Sequence, residues 1–169
     1  MRAAYGGVIL TPMIPPLRLT LPSPDATDRL AERLASRLSA GDCLLLSGPV
    51  GAGKSHLSRA LIRALLDAPE DIPSPTFTLV QTYDTRAGEI WHADLYRLGD
   101  LSEIDELGLT EAFANAICLV EWPDRLGEAA PASALALDIR PDPEDDERRH
   151  LTVGWSDPAW SPRLEHLND

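Results

Sequence analysis

The sequence predicts an α/β protein in which helices cover a buried parallel sheet. Residues 43–46 (CLLL) and 117–120 (ICLV) form two short, continuous apolar runs. Runs of this kind are typical of parallel strands that are covered on both faces. Apolar residues recur at helical spacing before and after the first run. A chain of 169 residues has the length of one domain with a substantial core.

The first predicted elements are a short strand and an amphipathic helix. Residues 17–21 (LRLTL) alternate between apolar and polar, as a strand does. Ser23 is placed to cap the following helix, whose buried stripe consists of leucines spaced four residues apart. We expect Gly41 to end this helix. A second helix, with its own apolar face, starts just after residue 53.

The second half of the chain alternates strands with short helices. Residues 74–84 and 89–97 are rich in β-formers and predict a hairpin or a paired excursion, and residues 101–114 predict one or two short helices. Residues 133–141 and 148–155 alternate and predict two closing strands around an acidic loop. We expect residues 1–16 to be a loose extension, 17–155 the domain, and 156–169 a partly ordered tail.

A glycine-rich stretch, GPVGAGKS at residues 48–55, joins the first buried strand to the second helix. This is the G-x-x-x-x-G-K-[ST] pattern of a phosphate-binding loop, in the strand–loop–helix context that it requires. Its backbone N–H groups would cradle phosphates, Lys54 would reach the β- and γ-phosphates, and Ser55 would hold Mg²⁺.

Mg²⁺ usually takes one or two carboxylates beside the phosphates. They belong at the carboxyl end of a neighbouring strand, where ligands gather in parallel sheets. Glu121, which ends the second apolar run, is the better candidate by position, and Asp94 is the alternative. Thr76 lies in a segment that could reach the γ-phosphate as a switch loop does. A metal role for His92 is not expected, because Mg²⁺ does not favour imidazole.

The composition excludes several classes of protein. The net charge of −12 argues against a chain that grips nucleic acid alone, since such proteins carry a basic face. The two cysteines, Cys43 and Cys118, lie in apolar runs and predict buried core residues rather than a disulfide framework. No apolar run approaches the length of a membrane span. A nucleotide site and few cysteines point to the cytoplasm.

Five segments occur together in the order and spacing of one known family. "GPVGAGKS", "SPTFTLVQTY", "HADLYRL", "ELG" and "CLVEWPDR" resemble the TsaE (YjeE) family, across roughly residues 18 to 154. The resemblance implies a P-loop NTPase-like three-layer sandwich with a mixed, mainly parallel central sheet. It implies an ATPase of the bacterial machinery that makes threonylcarbamoyladenosine in tRNA, weak alone and bound to TsaD and TsaB, with ATP turnover resetting that assembly.

The resemblance also implies roles for individual residues. Asp94 would be needed for hydrolysis, and Thr76 would belong to the switch-like segment. Ser55 and Glu121 would hold the metal, and Trp122 would lie close to the nucleotide. Mg-ATP would be bound by Val50, Gly51, Ala52, Gly53, Lys54 and Ser55.

Two departures from the family pattern concern the loop. Pro49 and Val50 replace the Asp-Leu pair that usually follows the first glycine, and Ser55 replaces the commoner threonine. The serine keeps the hydroxyl. Pro49 removes an N–H near the rim, so we expect nucleotide binding to survive with altered affinity.

The sequence disfavours three other functions. A small-molecule kinase usually has an arginine-rich lid, and no clear one follows the second half of the sheet. A GTP switch typically carries an Asn-Lys-x-Asp stretch, which this sequence lacks. A binding module with an inactive site is the remaining alternative.

Overall fold

The structure, a computed structural model, describes residues 3–5, 8–10, 14–75 and 78–168. Its strands are β1 Ala3–Tyr5, β2 Val8–Leu10, β3 Leu17–Leu21, β4 Cys43–Ser47, β5 Val80–Thr85, β6 Gly88–Asp94, β7 Ile117–Glu121, β8 Leu135–Pro141 and β9 Arg149–Gly154. Its helices are α1 Pro24–Ala35, α2 Lys54–Leu65, α3 Ser102–Glu106, α4 Leu109–Asn115 and α5 Trp160–Arg163, with a 3-10 helix at Pro123–Ala129.

Seven strands form one mixed sheet in the order β3-β9-β8-β4-β7-β6-β5. The central strands β8, β4, β7 and β6 run parallel. Antiparallel partners complete both edges, with β5 on β6 and the β8–β9–β3 ladder on the other side. The predicted mixed α/β sheet and the predicted hairpin of β5 and β6 are therefore confirmed. β1 and β2 pair with each other in a separate two-stranded sheet.

The sheet is the middle layer of three. Along β4, Leu44 and Leu46 belong to a core cluster shared with α1 and α2. Cys43 belongs to a second cluster, shared with α3 and α4. β7 divides its residues between the two clusters in the same alternating way. Both faces are covered, which is why these strands read as continuous apolar runs.

The two cysteines lie in neighbouring strands as free, buried thiols. Cys43 and Cys118 are directly paired in the β4–β7 register. Burial raises the pKa of both thiols, that of Cys118 to about 12. They act as small apolar residues of the core, as the sequence predicted.

The first helix begins as predicted and ends earlier than predicted. The side chain of Ser23 caps α1 by accepting from the Ala26 N–H at 3.3 Å. The helix stops at Ala35, and the next backbone N–H groups, of Arg37 and Leu38, bond three residues back in a tighter turn. The prediction that Gly41 ends the helix is wrong. Gly41 instead supplies a φ of 95° in the turn that enters β4.

The C-terminal segment packs onto α1. Trp160, Leu164 and Leu167 are buried in the core cluster on this side of the sheet. The Arg163 guanidinium donates to the Arg37 carbonyl and pairs with Asp42. The proposed boundaries at residues 16/17 and 155/156 stay predictions. In the described part of the chain, no helix is long and apolar enough to cross a membrane.

Candidate functional site

The glycine-rich loop runs from the end of β4 to the start of α2. No residue with a side chain fits at the first glycine of this loop. Gly48 has a φ of 145°, and a Cβ there would lie 2.3 Å from the Ile139 carbonyl oxygen. Gly51 and Gly53 also have positive φ, at 79° and 106°. These left-handed conformations favour glycine and let the loop turn tightly in front of the helix.

The first turn of α2 faces the loop. Gly53 is the N-cap residue of this helix, and among the described residues no side chain caps the helix there. The first N–H groups of a helix lack partners inside the helix and carry a partial positive charge. Together with the loop's own N–H groups they form an arrangement suited to an anion such as phosphate.

Lys54 lies over this loop and is only 5% exposed. Its Nζ donates to the carbonyl oxygens of Gly48 at 2.6 Å and Pro49 at 2.9 Å. The ammonium also lies 4.2 Å from the centre of the Trp122 ring. Burial lowers the pKa of Lys54, and the negative charges of Glu121 and, less strongly, Asp94 partly oppose this shift.

Two carboxylates meet at the ends of neighbouring strands. Asp94 ends β6 and Glu121 ends β7, and the two residues are directly paired in the parallel register. They are 7% and 2% exposed. Ser55 Oγ donates to Glu121 Oε1 at 2.8 Å, which joins α2 to β7. Asp94 Oδ1 accepts from the Tyr96 N–H at 3.0 Å.

An aromatic pair forms the outer wall of the site. Trp122 follows Glu121 directly and has φ 58° and ψ 53°, a left-handed conformation that is uncommon for a bulky residue. Its ring lies 4.9 Å from that of Tyr96 at an interplanar angle of 51°. Backbone strain of this kind clusters at functional sites, and here it places an indole ring beside the lysine.

These groups line a single cleft with a volume of about 520 Å³. The cleft brings together eight of the residues that the sequence selected: Val50, Gly51, Gly53, Lys54, Ser55, Asp94, Glu121 and Trp122. Ala52, in the same loop, is fully buried. Val50 is 80% exposed at the rim. Thr76, predicted in the switch-like segment, lies outside the described residues.

Two contacts at the site were not predicted. His92 Nε2 lies 2.6 Å from Glu121 Oε2, so the histidine holds the second oxygen of that carboxylate. Arg149 Nε donates to the Ala52 carbonyl at 2.9 Å and supports the loop from β9. The sequence signal for the first contact was weak. His92 and Asp94 share a strand face, but the register of β6 against β7 cannot be read from residue types.

The donor set suits a magnesium ion that is shared with a phosphate ligand. Ser55 and Glu121 present hard oxygens, and Asp94 adds a second carboxylate nearby. Among the described residues, no group of three or more His, Cys, Asp or Glu side chains is placed to hold a metal. The few oxygens of Ser55, Glu121 and Asp94 fit Mg²⁺, because this ion commonly binds one or two protein oxygens and takes its other ligands from phosphates and water.

The strand–loop–helix geometry, with the buried lysine and the two carboxylates at the strand ends, defines an α/β protein of the P-loop class. The family model described as "Threonylcarbamoyl adenosine biosynthesis protein TsaE" matches residues 21–151. The chain therefore belongs to the TsaE family.

Individual relatives agree with this assignment. A protein of Rickettsia bellii named "tRNA threonylcarbamoyladenosine biosynthesis protein TsaE" is 36% identical over 133 residues, which are 79% of this chain and 91% of the relative. A protein of Mycobacterium bovis with the same name is 39% identical over 72% of this chain and 76% of its own length. Among solved structures, YdiB of Bacillus subtilis matches with a TM-score of 0.73 and 25% identity, over 93% of this chain and 97% of YdiB.

Proposed function

We propose that this protein is a Mg²⁺-dependent ATP-binding and ATP-hydrolysing subunit of a cytoplasmic TsaD–TsaB–TsaE assembly that makes threonylcarbamoyladenosine in tRNA. ATP turnover would reset the assembly between cycles. The observation that carries the proposal is the meeting of Lys54, Ser55 and Glu121 at the amino-terminal end of α2. The family's shared name supplies the pathway.

In this proposal the loop and Lys54 bind the phosphates. The loop N–H groups and the start of α2 would hold phosphate oxygens, while the lysine would neutralise charge on the β- and γ-phosphates. The loop residues involved are Val50, Gly51, Ala52, Gly53, Lys54 and Ser55. Trp122 lies beside the lysine and shields it from water on one side.

The oxygens of Ser55 and Glu121 would hold Mg²⁺, which offsets phosphate charge when bound. Asp94, paired with Glu121 across the strands, would accept a hydrogen bond from water near the γ-phosphate and so support hydrolysis. Thr76, in the switch-like segment, would sense whether the γ-phosphate is present. With a net charge of −12, the chain would act on tRNA only through its protein partners.

Reconstitution of the modification reaction tests this function. ATP turnover and modified tRNA per TsaD are measured with TsaD and TsaB alone, with this chain added, and with its Lys54→Ala variant added. We expect slow turnover by the chain alone, faster turnover with the partners, and more product per TsaD only with the unaltered chain. A fast, partner-independent ATPase would contradict the proposal, and so would phosphate transfer to a metabolite.

A further inference from the structure

His92 lies inside the sheet and contacts the carboxylate at the end of the neighbouring strand. Its side chain is 0% exposed, and that of Glu121 is 2% exposed. His92 Nε2 and Glu121 Oε2 are 2.6 Å apart. A hydrogen bond between two buried polar groups is stronger than the same bond in water, so it restrains both side chains.

Each oxygen of the Glu121 carboxylate has its own partner. Ser55 Oγ donates to Oε1 at 2.8 Å, and His92 holds Oε2. The terminal torsion of a glutamate is soft, so a carboxylate held at one oxygen can rotate. The contact with His92 fixes the second oxygen and thereby the plane of the carboxylate. Oε1 is then the oxygen that faces the loop.

The second ring nitrogen of His92 indicates which way this hydrogen bond runs. Within the described residues, Nδ1 is buried and has no hydrogen-bond partner. A neutral ring with its hydrogen on Nε2 donates to the carboxylate and leaves only a lone pair at Nδ1. The other tautomer would bury an N–H without an acceptor and set the Nε2 lone pair against the carboxylate, which costs more.

We propose that His92 is a positioning residue for the Mg-ATP site: it donates from Nε2 to Glu121 and keeps Oε1 turned towards Ser55. The inference rests on the proposed function, because it concerns the support of a metal-binding carboxylate. His92 itself touches neither metal nor nucleotide in this assignment. Its effect passes through Glu121, as partners behind metal ligands do in other sites.

The test compares ATP binding with and without metal. Kd for ATP is measured by calorimetry in Mg²⁺ and in EDTA, for the unaltered chain, His92→Leu and His92→Gln. Removing such a partner typically weakens metal binding about 10–100-fold. We expect His92→Leu to weaken binding in Mg²⁺ by about 10-fold and to leave binding in EDTA unchanged. His92→Gln, which keeps an N–H donor, should recover part of the loss.

The chain offers a matched control. His150 Nε2 lies 2.7 Å from Asp142 Oδ2, a second histidine–carboxylate pair, and its side chain is 46% exposed. Neither residue lines the cleft. His150→Leu should therefore leave Kd for ATP unchanged in both Mg²⁺ and EDTA.

Several results would overturn the inference. One is a folded His92→Leu chain that keeps the unaltered ratio of the two Kd values, and another is equal weakening in Mg²⁺ and EDTA. In a Glu121→Ala background, which removes the acceptor, His92→Leu should cause no further loss of Mg²⁺-dependent binding, and an additive loss would contradict the mechanism. If His92→Leu does not fold, ¹⁵N NMR of the unaltered chain decides: a hydrogen on Nε2 supports the assignment, and a ring nitrogen Nε2 without hydrogen excludes it. Failure of the unaltered chain to bind Mg-ATP is a separate outcome, since it removes the proposed function itself.

Discussion

Two histidine–carboxylate pairs of nearly equal length occupy opposite environments in this protein. His92 and Glu121 are 2.6 Å apart and almost fully buried between β6 and β7. His150 and Asp142 are 2.7 Å apart at the edge of the β8–β9 connection, where the histidine is 46% exposed. The residue types and the distance are almost the same. Burial and neighbours are what distinguish the carboxylate at the candidate site from the one in the loop.

The neighbours of each carboxylate show the difference. Glu121 faces Ser55, and its charge acts on Lys54. Asp142 instead accepts from backbone N–H groups of its own loop, at residues 144 and 145. A carboxylate at the end of a central parallel strand meets the ligand edge of the sheet. Asp142 lies in a loop at the surface, and its contacts hold that loop and the adjacent strand β9.

The largest expected effect comes from removing the cation beside the buried pair. Lys54→Ala would leave the charges of Glu121 and Asp94 uncompensated next to the loop, so an incoming polyanion would be repelled as well as less strongly bound. We expect Kd for ATP to rise by at least about 100-fold, or about 2.8 kcal/mol. Calorimetry measures this, and circular dichroism checks that the variant is folded. Unchanged affinity would remove the phosphate-loop assignment.

The next largest effect compares the carboxylates of Glu121 and Asp142 by their influence on ATP binding. Glu121→Ala should weaken binding of ATP in Mg²⁺ by roughly 10- to 100-fold, in the range found when a metal site is disturbed. Asp142→Ala is the matched control and should not change Kd, because its side chain lies outside the cleft. Titrating Mg²⁺ at fixed ATP measures the metal dependence of both variants. If Glu121→Ala keeps the metal dependence of the unaltered chain, Asp94 becomes the better candidate ligand.

The smallest effect concerns the surface pair and its pH dependence. The hydrogen bond from His150, followed by the N–H of Glu144, lowers the pKa of Asp142 below its usual value. A lowered carboxylate pKa stabilises the folded state above the pKa of the unfolded chain, and this stabilisation is lost as pH falls through the folded value.

Urea midpoints measured from pH 7 down to pH 2 check this expectation. Asp142→Ala should be slightly less stable than the unaltered chain at pH 7, and the gap should close below about pH 3 to 4, under the usual Asp pKa. A gap that stays constant across this range would mean that the carboxylate charge contributes nothing to stability.

Local patterns made much of the fold and the cleft predictable. The glycines, Lys54 and Ser55 form a contiguous motif, and Glu121 directly ends an apolar run, so both could be located from neighbouring residues alone. Position at the strand ends made Asp94 the alternative to Glu121, and the resemblance to the family gave it a role of its own at the site.

The features that escaped prediction depend on distant residues or on backbone conformation. The contact of His92 with Glu121 depends on the β6–β7 register, and Arg149 reaches Ala52 across 97 positions of the chain. The end of α1 is set by backbone conformation, a tighter turn at residues 36–38, and not by the glycine at residue 41. The left-handed backbone conformation of Trp122 could not be predicted from the sequence, because tryptophan rarely adopts it.

The two carbonyl contacts of Lys54 have a thermodynamic consequence. A lysine side chain loses up to about 2 kcal/mol of conformational entropy when one rotamer is selected. Here the carbonyls of Gly48 and Pro49 and the ring of Trp122 already select it. That ordering cost is therefore met when the chain folds, as part of the stability of the loop. A phosphate ligand would have to draw the ammonium away from these two carbonyls, so the enthalpy of that contact would be the difference between charged acceptors and the two neutral ones that they replace.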